Sequence, residues 1–156
     1  MVVRERAPAD TAALADVFFR AVRDGAAPAY SNAERAAWAP ERPDEAAWAA
    51  RLDGLVTLVD EDADGCVSGF MSLRMSDGYL DLAFVRPEAR GTGVASRLYA
   101  VLENRARVAG LTRLWSHASH LAKPFLARQG WEVQTSNTIE RRGVTLQNWM
   151  MEKRLS

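Results

Sequence analysis

Three successive pieces of chain constrain this protein more than anything else in it. Tyr79-Leu80-Asp81-Leu82-Ala83-Phe84-Val85 is a short apolar run that reads as a strand. Arg90-Gly91-Thr92-Gly93-Val94-Ala95 follows. Residues 94–108 then set Leu98, Val101, Leu102 and Ala106 at helical spacing, until Gly110 ends the pattern. A strand, a glycine turn and a helix in that order can cradle an anion. Small side chains let the backbone curl close to a ligand, and the helix N-terminus adds partial positive charge. A Gly-x-Gly turn alone is more often structural, so its neighbours decide. A Walker loop is excluded, because Ala95-Ser96-Arg97 stands where Gly-Lys-Ser/Thr is required. A dinucleotide fingerprint is excluded too: Ser96 takes the place of its third glycine, and the turn follows a meander instead of opening a parallel unit.

The rest of the chain supplies that meander. Residues 2–6 read as a first strand. A helix over residues 10–23 carries Leu14, Val17, Phe18, Ala21 and Val22 on one face. Gly25 and Pro28 break it. Ser31-Asn32-Ala33-Glu34 is a capping box for a short helix ending near Trp38, and Pro43 precedes a helix over residues 44–52. From Gly54 the period changes to strands over residues 55–60 and 66–75, with Ser76-Asp77-Gly78 turning into the third. Later come a strand over 111–117, a helix over 119–129 closed by Gly130, and strands over 131–140 and 144–152 joined by Arg141-Arg142-Gly143. No repeat or linker interrupts the chain. The 156 residues suit one domain over 1–156 with one sizeable core. Its content is α/β and its arrangement α+β, with a largely antiparallel sheet.

Charge separates along the chain. Residues 1–78 hold 8 arginines against 14 carboxylates, a net −6, and residues 79–156 hold 12 Lys/Arg against 6 carboxylates, a net +6. The basic half suits a phosphate-rich ligand, and the acidic half offers attraction to a cationic substrate; chance asymmetry on a solvated surface is the plain alternative. A total charge of zero without a basic tract argues against nucleic acid. No apolar run approaches the roughly 18 residues that span a bilayer. The N-terminal residues, with Arg4, Glu5 and Arg6, do not form a signal peptide, so the expectation is a cytoplasmic protein without a membrane partner. Cys66 has no internal disulfide partner, and no His/Cys/Asp/Glu spacing suggests a metal site.

Val85-Arg86-Pro87-Glu88-Ala89-Arg90-Gly91-Thr92-Gly93-Val94-Ala95, with Leu98 behind it, resembles the acetyl-coenzyme A signature of the GCN5-related N-acetyltransferase (GNAT) superfamily. Ala118-Ser119 with Ala122-Lys123-Pro124-Phe125-Leu126-Ala127-Arg128-Gln129-Gly130-Trp131 resembles its second motif, a helix ending in Gly-Phe. Asn148-Trp149-Met150-Met151-Glu152-Lys153 resembles its last strand. Phe19-Arg20-Ala21-Val22, Tyr30-Ser31, Ala37-Trp38-Ala39 and Trp48 resemble the YafP-like subgroup of bacterial acetyltransferases. The resemblance covers nearly the whole chain. It implies a mixed, largely antiparallel, splayed sheet with helices on both faces. It also implies acetyl-CoA as cosubstrate and no metal. The backbone amides of Arg90, Gly91, Thr92, Gly93, Val94 and Ala95 would hold the pyrophosphate, and the strand edge at Phe84 and Val85 would pair with the pantetheine arm. Ser119 would contact the far end of that arm, and Phe125 would pack along it. Arg90 and Arg97 stand nearby for further phosphates. Glu88 takes a place where the family usually has Gln or Arg, a mild departure.

The activity so implied is direct acetyl transfer to the primary amine of a small molecule. A protein or peptide amine, which needs a groove open at both ends, and a CoA-binding module without catalysis are the alternatives. Transfer requires a proton off the amine, a polarised carbonyl and a proton for the departing thiolate. Positioning alone supplies much of the rate. The family's usual acid is a Tyr five residues before the Gly-Phe aromatic, where this chain has Leu126. Asp81 is the first candidate base, since burial in an apolar run makes a carboxylate a better proton acceptor; a pair with an arginine is the plain alternative. Tyr79 shares its strand face and serves as an acid, a water-holder or a half-buried strand residue. His117 ends the strand expected to splay from the glycine strand, and imidazole exchanges protons near neutral pH; a plain strand-end His is the alternative. Tyr30 and Trp38 are candidates for the substrate wall, or for the core. His120 is expected to be exposed, and Trp115, Trp131 and Trp149 to be core. A large apolar patch on the final hairpin would mark a homodimer.

Overall fold

Thr57, Leu58, Val59 and Asp60 are consecutive buried residues, as in a strand covered on both faces. The computed structural model describes residues 1–155 and places that strand inside a seven-stranded sheet. The strands are β1 (Val2–Glu5), β2 (Val56–Glu61), β3 (Val67–Arg74), β4 (Tyr79–Val85), β5 (Arg113–Ala118), β6 (Glu132–Arg141) and β7 (Val144–Arg154), in the order β1-β2-β3-β4-β5-β7-β6. Every neighbouring pair is antiparallel except β4 and β5. The helices are α1 (Thr11–Arg20), α2 (Asn32–Trp38), α3 (Glu45–Leu52), α4 (Val94–Val108) and α5 (Ala122–Arg128).

The side-chain alternation of the strands sorts the core into two layers. Leu58, Met71, Leu73 and Leu80 meet Val94, Leu98 and Leu102 of α4 and Leu126 of α5. On the opposite face Val59, Phe70 and Leu82 meet Leu14 and Val17 of α1 and Trp48 and Leu52 of α3. Each such side chain contributes roughly 1.5–3 kcal/mol by leaving water. The expected mixed sheet with helices on both faces is therefore the one found.

Helix ends follow their caps. Ser31 Oγ accepts the Glu34 N–H at 3.1 Å while the Glu34 carboxylate accepts the Ser31 N–H at 2.8 Å, which starts α2. Asp44 caps α3 by accepting the Ala47 N–H at 2.7 Å. Two expected boundaries move. The first helix gives way at Ala21–Gly25 to a wider turn. The last begins at Ala122 and not at residue 119; before it the chain turns, with Ser119 Oγ accepting the Ala122 N–H at 3.2 Å.

One junction opens the sheet. β4 and β5 pair at a single position, Tyr79 opposite Trp115. There the Trp115 N–H donates to the Gly78 carbonyl at 3.0 Å, and Ser116 Oγ donates to the Leu80 carbonyl at 2.7 Å. Beyond it the strands diverge. Gly78 has φ +79°, and a Cβ there would lie 2.2 Å from the Arg113 carbonyl oxygen, so only glycine lets β5 approach the vertex. Just past the vertex Ser72 opposes Leu82 and Leu73 opposes Leu80, which leaves Asp81 as the extra residue of a β-bulge.

The final hairpin, β6 with β7, has Val133 as its exposed large apolar side chain, so the patch that would mark a dimer is not found among the described residues. No helix among them is long and apolar enough to cross a membrane.

Gly78→Ala should lower the urea unfolding midpoint by an amount worth about 2 kcal/mol or more, from positive φ plus the backbone clash. Gly54→Ala is the control, since Gly54 also has φ +79° but nothing within 4 Å of an added Cβ; it should cost about 1 kcal/mol. Equal losses would show that close approach does not fix Gly78.

Candidate active site

The glycine turn leaves its amides free. Gly91 and Gly93 have φ of +77° and +89°. Among the described residues no backbone carbonyl accepts from the N–H groups of Gly91 through Ser96. These are the orphan donors of a helix start, carrying its partial positive charge. Beside them lies a cavity of ≈350 Å³. Arg90, Gly91, Gly93, Val94, Ala95, Phe84, Val85, Ser119 and Phe125 all line it; the Arg90 amide, expected in the cradle, is already taken by the Pro87 carbonyl at 3.3 Å. Thr92 does not, because its hydroxyl turns back to the Ala89 carbonyl.

The side-chain cations rearrange the expectation. Arg97 is not available to a phosphate, since it grips both oxygens of the fully buried Asp60 at 3.0 Å each. The Arg90 guanidinium donates to the Gly25 carbonyl. Arg128, in the last turn of α5, lines the cavity instead, 5.9 Å above the Phe125 ring and without a carboxylate partner among the described residues. Glu88 is held by both terminal nitrogens of Arg20 at 2.8 and 2.9 Å, which keeps it below the usual carboxylate range and ties the turn to α1.

The β4 edge is also open. The Arg86 N–H donates to the Ser68 carbonyl at 2.8 Å, so by alternation Phe84 and Leu82 turn their backbone groups toward β3. Ala83 and Val85 therefore turn theirs into the gap left by β5.

A second cavity, ≈680 Å³, fills the wider side of that gap. It meets the first along a common wall of Ala83, Phe84, Ser119, Ala122 and Leu126. Tyr79, Asp81 and His117 all line it. The Tyr79 hydroxyl and His117 Nδ1 are hydrogen-bonded at 2.9 Å. Burial pushes the Tyr79 phenol up, the Asp81 charge adds to this, and the His117 backbone acts the other way. His117 is exposed, and its Nε2 has no partner among the described residues. Asp81 takes the arginine alternative: Arg51 of α3 grips both its oxygens at 2.6 and 2.8 Å.

Tyr30 and Trp38 form part of the wall. Tyr30 is buried, its ring centroid is 5.3 Å from that of Trp38, and its hydroxyl accepts the His120 N–H at 2.8 Å. Burial raises its pKa, and that bond pulls it back. The hairpin closes over them: Leu146 and Ile139 pack with Tyr30 and Trp38, and Arg142 Nη1 donates to the Ala37 carbonyl at 2.7 Å. His120 is exposed as expected, and Trp131 and Trp149 are buried, but Trp115 is only half-buried.

Sequence reading missed Arg51, Arg128, Arg141, Arg142, Asn148 and Trp48 as lining residues. A cation in the last turn of α5 and two in a hairpin turn were the available signals. Trp48 Nε1 and Asn148 Oδ1 are buried without hydrogen-bond partners. The acidic half does not make the cavity acidic. Asp81 is the one carboxylate lining it, while Asp10, Asp16 and Asp60 pair with Arg4, Arg86 and Arg97 elsewhere.

Comparison with known proteins follows the same outline. Residues 26–155 match the acetyltransferase (GNAT) domain family. The Escherichia coli K12 protein called uncharacterized N-acetyltransferase YafP is 31% identical over 96% of this chain and 93% of its own. The structure of a GCN5-related N-acetyltransferase from Rhodopseudomonas palustris superposes with a TM-score of 0.90 at 34% identity, covering 99% of this chain and 95% of that one. An acetyltransferase from Salmonella typhimurium, solved with its cofactor acetyl-CoA, shares the fold at a TM-score of 0.75 and 23% identity, covering 100% and 94% of the two chains.

Proposed function

The chain belongs to the GNAT acetyltransferase family, and from that premise we propose that it is an acetyl-CoA-dependent N-acetyltransferase for the primary amine of a small molecule. One observation carries this reading. A cavity with a free amide cradle and a cavity with a Tyr–His pair meet at a shared wall between diverging strands.

The residues present fit the cosubstrate. The free amides of Gly91 through Ser96 suit a pyrophosphate, with Arg128 for a further phosphate. The backbone of Ala83 and Val85 offers an added-strand partner to an amide-bearing arm, with Ser119 and Phe125 beside it. Bound there, acetyl-CoA supplies a thioester carbonyl as the electrophile.

His117 is the better proton carrier of the candidates, because both oxygens of Asp81 are engaged and His117 Nε2 is not. With its Nδ1–H donating to the Tyr79 oxygen, His117 takes the amine proton at Nε2 as the C–N bond forms. It returns that proton to sulfur as the C–S bond breaks. This single shuttle needs no tyrosine where Leu126 stands. A small acceptor is favoured over a peptide because the hairpin contacts α2 across the cleft that a peptide would follow.

Thiol release from acetyl-CoA with a panel of primary amines tests the function. His117→Gln should lower kcat by about 10²–10⁴-fold with little change in KM for acetyl-CoA, and Tyr79→Phe by about tenfold. Since the phenol is pushed up, any alkaline fall in kcat set by Tyr79 should lie above about pH 10 and vanish in Tyr79→Phe. An unchanged kcat in His117→Gln would leave positioning as the whole of catalysis. Gly93→Val should raise KM for acetyl-CoA at least tenfold, because it fills the cradle at φ +89°. Tight CoA binding with no turnover on any amine would instead identify a binding module.

A further inference from the structure

The larger cavity holds more positive charge than it neutralises. Arg51 is matched by Asp81 through two hydrogen bonds. Arg141 and Arg142 also line the cavity, and neither forms an ion pair with any carboxylate among the described residues. Both are exposed, and Arg142 is anchored. Arg142 adopts φ +50°, uncommon for a residue with a side chain, and turns back to donate to the Ala37 carbonyl.

Polarity changes in order along the hairpin. Asn137 stands opposite Asn148, Ile139 opposite Leu146, and Arg141 opposite Val144. Asn148 is next to Trp149, which pairs with Ala118, so the amide pair sits beside Ser119 on the wall shared by the two cavities. The middle pair packs on Tyr30 and Trp38. The cations stand at the mouth. Asn148 lines the cavity at this end, with its Oδ1 buried and without a donor. Four steps along the strand, roughly 13 Å, lead from Asn137 to Arg141.

We infer that the acceptor is an amino acid of extended form: a primary amine at one end, an apolar body, and at the other end an acidic group received by Arg141 and Arg142. Guanidinium groups bind carboxylates and phosphonates alike through paired N–H donors. This rests on the acetyltransferase reading above.

The test compares 4-(aminomethyl)benzoate, the corresponding phosphonate, the neutral 4-(aminomethyl)benzamide and the cationic p-xylylenediamine. Acetyl transfer to the acids should be at least tenfold more efficient in kcat/KM than to the amide, and the two acids show which acidic group the site takes. Arg141→Gln should raise KM for the acids about tenfold or more without a matching fall in kcat, and Arg141→Lys should restore much of it. Raised salt should weaken acid binding in the wild type and not in Arg141→Gln. Preference for the amide or the diamine overturns the inference. If no amine is acetylated, the acetyltransferase reading fails separately, and calorimetry on CoA-loaded protein still decides: acids bound tenfold tighter than the amide support the anion site, and equal binding overturns it.

Discussion

Between β4 and β5 the sheet is joined at one paired position, Tyr79 opposite Trp115, and the rest of the architecture follows from how short that seam is. Strands that stayed paired would close both cavities. The seam forms because Gly78 admits the Arg113 carbonyl where a side chain would block it. It ends because β4 bulges at Asp81, within a turn of residues from the vertex. The outcome is an unpaired strand edge running from the vertex to the free amides at the start of α4. One physical defect in a ladder thus makes both a slot and a cleft.

Local features were legible in the sequence, and distant pairings were not. β4 and α4 begin and end where period and glycines predict, at Tyr79–Val85 and Val94–Val108. The capping box at Ser31 and Glu34 was readable because its partners are three residues apart. The turn at Ser119 is local as well, since its short polar side chain binds the amide three residues on. By contrast, Asp81 meets Arg51 across 30 residues of sequence, and Arg97 meets Asp60 across 37. Charge type gave no means of choosing between those pairings and a phosphate. The family resemblance pointed to the turn from Arg90 to Ala95 and to Leu126 in place of the usual tyrosine, without saying what stands near either.

Electrostatics in the site is chiefly a question of which charges are already matched. Asp60, with no solvent exposure, needs Arg97, because a lone buried carboxylate is strongly disfavoured. Asp81 and Arg51 satisfy each other at the edge of the cleft. What remains unmatched is Arg128 beside the narrower cavity and the Arg141–Arg142 pair beside the wider one. Each cavity is thus lined by cations that no carboxylate matches among the described residues. The Tyr79–His117 pair also lines the wider cavity.

The common wall and the hairpin tip are built from different stretches of chain. Ala83 and Phe84 are anchored by pairing with β3, and the Phe84 ring packs against Phe70 of that strand and Phe18 of α1. Asn137, Ile139 and Arg141 belong to the outermost strand, most of whose residues are exposed and which has a neighbour on one side only. A substitution in the first group disturbs the layered core; one in the second disturbs little beyond the cleft it faces. On the proposed reading, changes in an edge strand retune which acceptor is taken, while the wall that would hold the donor stays locked into the structure that keeps the chain folded.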